Sequence, residues 1–442
     1  MHQINSFLFQ KIDNVQLVVF RIFYGFLVCC EAFGAIITGW VKQTLVEPKF
    51  TFSFIGFEWL QPLPGDGMYY YFMVMGVLGV CITLGYKYRF AAFTFAFMWS
   101  GVYLMQKTSY NNHYYLLMLL AFIMVFLPAH KNCSFDAHLN PEIKKYWMHN
   151  WVRWLIIAQL FIVYTYASVA KLYADWFDLS IVEILMKGKS KYWLIGGLLQ
   201  EKWLHQIIAI FGIAFDLLVI PALLWKPTRK IAFSFSIFFH LFNSYVFRIG
   251  IFPYLSLAFC VFFFEPQVIR NSFLKKKDVE IPTQINFPKY HKFLVGVLAI
   301  YLIIQTLLPL RHHFFEGDVL WTEEGHRLSW RMMLRSRSGH ISFKVVNHET
   351  KDTINIDKKD YLTKKQLRKI ASYPDFIWQF AQHLKKEYLK NGEKISVYAI
   401  GKCKVNAGKY RVLIDPSVDL AAVSWNHFSH NEWIMPSSKG TE

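Results

Sequence analysis

Charged residues and cysteines are scarce in this 442-residue chain, and the common motifs of soluble enzymes are missing. Only 18% of the residues are charged, and the six cysteines are too scattered for a disulfide framework. No GxGxxG, GxxxxGK(S/T), GxSxG or HExxH motif occurs, which argues against dinucleotide-binding, P-loop, serine-hydrolase and zinc-protease chemistry. No Cys/His spacing indicates a metal site either, so we predict that the chain binds no metal.

Apolar residues are abundant instead. They make up 54% of the sequence, and the mean hydropathy is +0.26. A helix of about 20 apolar residues spans the hydrocarbon core of a bilayer, and nine apolar runs approach that length. The runs are 15–40, 68–86, 90–106, 113–129, 151–172, 206–225, 230–247, 251–265 and 293–310. We therefore predict a mainly α fold, a polytopic helical transmembrane bundle of about eight to nine spans.

The net charge of +18 is explained largely by topology. Basic residues concentrate in "YKYR" (86–89), the 130–153 connection, "KPTRK" (226–230) and "LKKK" (274–277). The positive-inside rule places these loops in the cytoplasm, together with the N-terminus, and places everything after residue 311 outside. The expected partner is therefore membrane lipid, and we expect no nucleic-acid partner.

From about Arg311 the sequence has a soluble pattern. "HISFKVVN" and "DTINID" alternate like strands, two helical segments follow, and "KISVYAIGKCKV" and "KYRVLID" flank a turn as in a hairpin. We predict two domains, a membrane domain over 1–311 and a small α+β extramembrane domain over 312–442. The aromatic, proline-broken segment 44–66 is expected in the outer membrane interface.

Three polar clusters lie at the outer ends of predicted spans. "KTSYNNHYY" (107–115) opens the fourth run, Lys171 ends the fifth, and "FFHLFNSYVFRIG" (238–250) ends the seventh. Each alone has an ordinary interpretation: an interfacial aromatic belt, a snorkelling lysine, and a hydrogen-bonded packing histidine. A lysine in a dry pocket would be the exception, because burial disfavours the ammonium form and leaves an amine available as a base.

The predicted topology brings these clusters together. His113, Lys171, His240 and Asn243 all fall near the outer leaflet, on the side of the soluble domain. We therefore predict a pocket that opens outward beneath that domain. Asp216, in the middle of the sixth run, must be protonated, paired or facing a cavity, because a charge at that depth is costly.

An ordered set of motifs resembles the vitamin K-dependent γ-glutamyl carboxylases and their bacterial relatives with the HTTM membrane domain. The resemblance covers most of the chain. Its motifs are "FRIFYGFL" (20–27), "LQPLP" (60–64), "KTSYNNHYYL" (107–116), "VAKLYADW" (169–176), "FFHLFNSYVFRIGIFPYLSL" (238–257), "WTEEGHRLSWRMMLRSRSGH" (321–340) and "VLIDPSVDLAAVSW" (412–425).

The resemblance implies an activity. In the family a lysine at the position of Lys171 deprotonates reduced vitamin K, and the hydroquinone anion reacts with O₂. The resulting alkoxide removes a γ-proton from glutamate, the carbanion takes up CO₂, and the quinone leaves as the epoxide. His113 matches a histidine associated with the quinone and with the carbanion-forming step. The implied co-substrates are reduced vitamin K, O₂ and CO₂, with no metal.

Further site residues follow from the polar clusters and the resemblance together. For quinone binding the candidates are Asn111, Asn112, Tyr115, His240 and Asn243. The family's glutamate-substrate region corresponds to "LWTEEGHRLSWRMM", and for that role the candidates are Trp321, Trp330 and Arg335. The expected partners are an isoprenoid quinone in the lipid and a glutamate-containing protein or peptide.

Departures from the family pattern leave two alternatives open. Ala170 stands where animal members have a second lysine, and the chain ends soon after "AAVSW". This short form, with no disulfide or sequon in its soluble part, is expected of a bacterial inner-membrane protein. The first alternative is a hydroquinone epoxidase that carboxylates no protein. The second is a non-enzymatic binding or transport protein, although no inverted repeat is visible.

Overall fold

The computed structural model describes residues 2–274, 279–285 and 287–437. Three lysines of the "LKKK" loop, 275–277, lie outside the described residues. The helices are α1 (His2–Phe9), α2 (Val15–Ile37), α3 (Gly67–Leu84), α4 (Tyr88–Met105), α5 (Asn112–Phe126), α6 (Phe135–Leu139), α7 (Trp151–Val169), α8 (Ala174–Phe177), α9 (Ser180–Lys187), α10 (Lys202–Leu224), α11 (Arg229–Phe247), α12 (Phe252–Phe259), α13 (Pro266–Ile269), α14 (His291–Leu307), α15 (Val319–Thr322), α16 (Lys364–Ile370) and α17 (Pro374–Lys390). The strands are β1 (Lys11–Asp13), β2 (Trp147–His149), β3 (Arg337–Asn347), β4 (Thr353–Ile356), β5 (Ile395–Val405) and β6 (Arg411–Val412).

Each of the nine apolar runs forms a helix. Among the described residues, five segments are long and apolar enough to cross a membrane: α2, α3, α7, α10 and His291–Phe314, which is α14 with the 3-10 turn that follows it. α5 and the segment Phe252–Phe262 are shorter apolar helices, and α4 and α11 have 18 and 19 residues. The predicted mainly α membrane bundle followed by a small α+β part is confirmed.

The C-terminal part is built on an antiparallel sheet of order β4-β3-β5-β6. β3 and β5 pair over eleven residues, from Arg337 opposite Val405 to Asn347 opposite Ile395. One face of β3 is apolar, since Ile341, Phe343 and Val345 alternate with more exposed residues and are buried. α17 covers this face with buried side chains spaced four residues apart, Phe376, Phe380 and Leu384.

The segment after α2 fastens the sheet domain to the helical bundle. Phe52 is fully buried in the core of the sheet domain, and its ring stacks on Phe376 at 4.8 Å. The backbone carbonyl of Ser53 accepts a hydrogen bond from the Gln379 side chain at 2.9 Å, and that of Phe50 accepts one from Gln366 at 2.5 Å. Aromatic residues of this segment therefore pack against protein, and the place of the segment in the outer membrane interface stays a prediction.

Candidate functional site

Lys171 lies in the turn that ends α7. The helix stops at Val169, and the backbone N–H of Lys171 still donates to the carbonyl of Ser168 at 3.0 Å. The turn directs the lysine side chain back into the bundle, where Nζ donates to the Ala167 carbonyl at 2.8 Å. The residue is only 7% exposed, so it does not reach solvent as a snorkelling lysine would.

Asp216 of α10 is the partner of this lysine. Its Oδ2 lies 2.5 Å from Lys171 Nζ, and both side chains are buried. Trp176 covers the ammonium group, with its ring centroid 5.5 Å from Nζ, and donates its own N–H to the Ala209 carbonyl at 3.1 Å. Of the options that the sequence left for Asp216, the structure shows two: it is paired and it faces a cavity.

An apolar cavity of 350 Å³ lies beside this pair, between α7, α9, α10 and α11. Its polar lining includes Lys171, Asp216, His113, His240 and Asn243, and most of the remainder is aliphatic or phenylalanine. Three lining residues also face outward from the bundle: Ile207, Phe235 and Phe238 are 53%, 50% and 64% exposed. The cavity therefore opens sideways between α10 and α11, toward the position of lipid.

Two histidines that line this cavity lie close to the ring of Phe252, which lines it as well. The ring centroid of His113 is 3.8 Å from that of Phe252 in a stacked arrangement, and the ring of His240 is 6.3 Å from it edge-on. His240 Nε2 lies 3.0 Å from the Tyr164 hydroxyl, which fixes the imidazole against α7. His113 and His240 are therefore held by neighbouring aromatic rings.

A second cavity of 810 Å³ lies between the membrane helices and the sheet domain. Of the described residues that line it, one is a carboxylate, Glu31, whose Oε1 accepts a hydrogen bond from the Tyr114 hydroxyl at 2.7 Å. The cationic residues that line it are Lys107, Arg248, Arg327, Arg331, Arg335 and Lys369. We call this space the cationic cavity. Its excess of positive charge makes it suited to anions.

Part of this charge is balanced by the sheet domain. Asp375 accepts from Lys107 Nζ at 2.5 Å and from Arg327 at 2.8 Å and 3.1 Å, and Arg335 pairs with Glu323. Burial would raise the pKa of Asp375, but the nearby Arg327 and Lys107 outweigh it and lower that pKa. Burial lowers the pKa of Lys107 to about 8, although Asp375 opposes the shift.

Other polar groups of the cationic cavity are less closely paired, and the nearest carboxylate contact of His326 is 4.0 Å, from Nδ1 to Glu323 Oε2. Among the described residues, Arg248, Arg331 and Lys369 form no ion pair; Arg331 Nη2 lies 2.7 Å from His312 Nε2. His326 is 1% exposed, and within the described part of the chain neither of its ring nitrogens has a hydrogen-bond partner. Burial, followed by the neighbouring arginines Arg335 and Arg331, lowers the pKa of His326 well below its usual value, so the ring is neutral.

The two cavities share a wall. His113, Ile249, Met332 and Met333 line both of them. Met333 has a φ of 57°, in the left-handed region that non-glycine residues seldom adopt. Trp330, three residues earlier in the same loop, has a φ of 58°. Such a backbone is maintained only by its surroundings, so the loop is shaped to hold its methionines at this boundary.

The predicted quinone-binding residues separate into three positions. His240 and Asn243 line the apolar cavity with Lys171. Asn111 and Asn112 instead line the cationic cavity: Asn111 caps α5 by accepting from the Tyr114 N–H, and Asn112 donates to the Arg331 carbonyl at 2.8 Å. Tyr115 is buried elsewhere, stacked on Trp330 at 4.8 Å with its hydroxyl on Gln305.

The predicted substrate-binding residues also separate. Arg335 lines the cationic cavity. Trp321 is 4% exposed in the core of the sheet domain, where its N–H donates to the Met435 carbonyl at 2.7 Å. Trp330 is 1% exposed and packs in the core of the membrane part. Both tryptophans pack in hydrophobic cores, whereas Arg335 lines a cavity with its guanidinium paired to Glu323.

Several site residues were not among the sequence candidates. Asp216 had a signal, a lone acid in an apolar run, but its pairing with a lysine 45 positions away depends on how α7 packs on α10. His326, Arg331 and the two methionines belong to the segment that carried the resemblance, where the tryptophans were chosen instead. Glu31 also had the signal of an acid at membrane depth.

The buried pair makes a prediction about stability. Asp216→Asn leaves the lysine cation without a carboxylate in apolar surroundings, and we expect it to lower the free energy of unfolding by about 3–5 kcal/mol. Lys171→Met combined with Asp216→Leu removes both charges and should unfold close to wild type. Chemical unfolding in detergent measures both, with Glu183→Gln as the control because this carboxylate of α9 is exposed. A wild-type midpoint for Asp216→Asn would contradict the pairing.

Together, these features define a class of protein: a multi-pass helical membrane protein in which a lipid-facing cavity meets a charged one under an extramembrane domain. Two family models match the chain, the HTTM domain over residues 9–267 and the vitamin K-dependent gamma-carboxylase lumenal domain over residues 290–440. The chain belongs to the vitamin K-dependent gamma-carboxylase family of HTTM-domain membrane proteins. No solved structure matches the chain significantly.

Proposed function

We propose that this protein couples the oxygenation of a reduced quinone to the carboxylation of peptidyl glutamate. Family membership implies reduced vitamin K, O₂ and CO₂ as co-substrates and a glutamate-containing protein as the acceptor. The observation that carries the proposal is the shared wall at His113, where an apolar cavity with a buried amine meets a cationic cavity. The oxygenation and the carboxylation can be coupled only if the quinone and the glutamate are held next to each other, as they would be on the two sides of this wall.

The apolar cavity fits a quinone. Small-molecule sites are mostly apolar clefts of roughly 300–1,000 Å³ with a few placed polar groups, and this cavity has 350 Å³ with Lys171, His113 and His240 in its wall. Its sideways opening between α10 and α11 suits a ligand whose isoprenoid tail stays in the lipid. When bound, the reduced quinone supplies through its reaction with O₂ the strong base that this carboxylation requires.

Lys171 is placed to take the proton of the quinol hydroxyl. In its neutral form Nζ can accept that proton, and this restores the ammonium that pairs with the Asp216 carboxylate 2.5 Å away. The ring of Trp176 adds a favourable cation–π contact. The surrounding apolar side chains keep water out, which protects a strongly basic species from being quenched by a solvent proton.

The cationic cavity is suited to the glutamate side chain. Arg331 and Lys369 can bind a carboxylate, and the one N–H of the neutral His326 ring offers a further hydrogen bond. His113, Met332 and Met333 would separate a glutamate bound there from the apolar cavity. The acquired carboxylate adds negative charge, which the same cations stabilise.

The orientation follows from the positive-inside rule. We propose that the N-terminus is cytoplasmic and that the sheet domain lies on the outer side of a bacterial inner membrane. A peptide would then reach the cationic cavity from the outer side of the membrane, where the sheet domain covers this cavity.

One assay tests the proposal. Purified protein is incubated with reduced vitamin K, O₂, labelled bicarbonate and a glutamate-containing peptide, and both the epoxide and the fixed label are measured. We expect both products in parallel. Epoxide without fixed label would replace the proposal with a hydroquinone epoxidase, and the absence of both products under conditions where a known carboxylase works would overturn it.

The low pKa of Lys107 predicts a pH dependence. Because that pKa is about 8, the amine is protonated below this pH and neutral above it, and the cationic cavity loses a positive charge as pH rises. The KM for the peptide should therefore increase roughly threefold to tenfold through pH 8. Lys107→Arg stays cationic and should abolish the increase, and it controls for the bicarbonate equilibrium. An identical rise in both proteins would exclude Lys107 as its cause.

A further inference from the structure

A third groove, of 530 Å³, lies on the outer end of α11 on a face different from the one that lines the apolar cavity. Leu241, Ser244, Tyr245 and Arg248 of α11 line it, and their spacing of three and four residues places them on one helix face. Lys191, in the loop after α9, and Tyr254 of α12 close the groove. The groove is therefore assembled from three separate elements.

Hydrogen bonds fix the loop against the helix. The Tyr192 hydroxyl donates to the Val246 carbonyl at 3.1 Å, and the Tyr245 hydroxyl donates to the Trp193 carbonyl at 3.3 Å. Ser244 Oγ donates to the Tyr254 hydroxyl at 3.1 Å. The groove consequently has a defined shape, with hydroxyl groups in its wall.

The charge of the groove is one-sided. Lys191 and Arg248 line it, and no carboxylate is present among the described residues of its wall. The Arg248 guanidinium sits over the Tyr192 ring at 5.5 Å, and Lys189 Nζ lies 3.3 Å from the same tyrosine hydroxyl. Two cations at one tyrosine, with Lys191 in the same groove and on the side of the membrane that we propose is the outer one, where basic residues are disfavoured, indicate an anionic ligand.

The position of the groove relative to the membrane indicates which class of anion it binds. Trp193 and Leu194, in the same loop, are each 78% exposed, and Leu241 and Tyr245 on the adjoining helix are 45% and 51% exposed. Exposed apolar and aromatic side chains next to lysine and arginine are typical of the layer where acyl chains meet headgroups. A water-facing phosphate site would have no need of this apolar rim.

We propose that this groove binds the phosphate-containing headgroup of an anionic phospholipid in the outer leaflet. Lys191 and Arg248 contact the phosphate, the hydroxyl groups of Ser244 and Tyr254 hydrogen-bond to the headgroup, and the acyl chains lie along Leu241 and Tyr245. The inference is independent of the proposed carboxylation, because it concerns a face of α11 outside both cavities except at Arg248. Free phosphate shares the same chemistry, and the test separates the two.

The full-length protein in nanodiscs of phosphatidylcholine and phosphatidylglycerol in equal amounts provides the test. Lipid that stays bound after transfer to detergent is identified by native mass spectrometry. We expect selective retention of phosphatidylglycerol, a loss of roughly fivefold in retention for Lys191→Ala, and wild-type retention for Lys191→Arg. Lys187→Ala is the matched control, since this exposed lysine ends α9, just before that loop, and does not line the groove.

Equal retention of the two lipids, or an equal loss of lipid for Lys191→Ala and Lys187→Ala, would overturn the proposal. A parallel titration of the lipid-free protein with inorganic phosphate addresses the other source. Saturable phosphate binding that Lys191→Ala removes, with no phospholipid retained in the first experiment, would overturn the lipid assignment.

Discussion

Replacing Lys171 by alanine is expected to abolish formation of the quinone epoxide. Lys171 is the buried amine of the apolar cavity, and its Nζ is held by Asp216 and the Ala167 carbonyl. Loss of a positioned base lowers a rate by roughly 10²–10⁴-fold, and carboxylation should fall with epoxidation because it depends on it. Turnover of reduced vitamin K by the purified variant measures the effect.

Chemical rescue distinguishes a missing base from a damaged fold. Small primary amines fit the space left by the lysine side chain and should restore part of the activity of Lys171→Ala, but not raise that of the wild type. Lys187→Ala, an exposed lysine on α9, is the matched control and should remain fully active. Unchanged epoxide formation in Lys171→Ala would rule out the proposed role.

The second large effect is expected at Asp375. Asp375→Asn leaves Lys107 and Arg327 buried between the two parts of the protein without their shared carboxylate. We expect the free energy of unfolding to fall by about 3–5 kcal/mol. The exposed Asp352→Asn in the same sheet domain is the control. Denaturant unfolding monitored by tryptophan fluorescence measures both variants.

This effect has a definite pH dependence. The pKa of Asp375 is lowered in the folded protein, so its stabilising contribution is complete above the unfolded pKa of about 3.9 and is lost as pH falls through the folded value. The gap in stability between wild type and Asp375→Asn should therefore be constant at neutral pH and shrink in acid. A gap that widens as pH falls would contradict the pairing.

The fold was predictable because lipid imposes a simple pattern on the sequence. Each of the nine apolar runs forms a helix, since backbone groups in hydrocarbon must be satisfied within the segment. The strand and helix order after residue 311 also followed from local periodicity. The same topology brought His113, Lys171, His240 and Asn243 to one face, and these four residues line one cavity.

The finer site was not predictable, because it depends on contacts between distant segments. The cationic cavity draws Lys107, Arg248, Arg327 and Lys369 from four separate parts of the chain. Side-chain type was also a poor guide to which residues line a cavity. Trp321 and Trp330 occur in the motif that resembles the substrate region, yet each packs in a hydrophobic core.

The central claim is that a reduced quinone occupies the apolar cavity while glutamate occupies the cationic one. Photolabelling with a photoreactive naphthoquinone analogue, with labelled residues mapped by mass spectrometry, tests it most directly. We expect labels on α10 and α11 at the cavity opening, at Ile207, Phe211 or Phe238, and we expect vitamin K but not a glutamate peptide to suppress them. Labels confined to the cationic cavity, or suppressed by the peptide alone, would contradict the account.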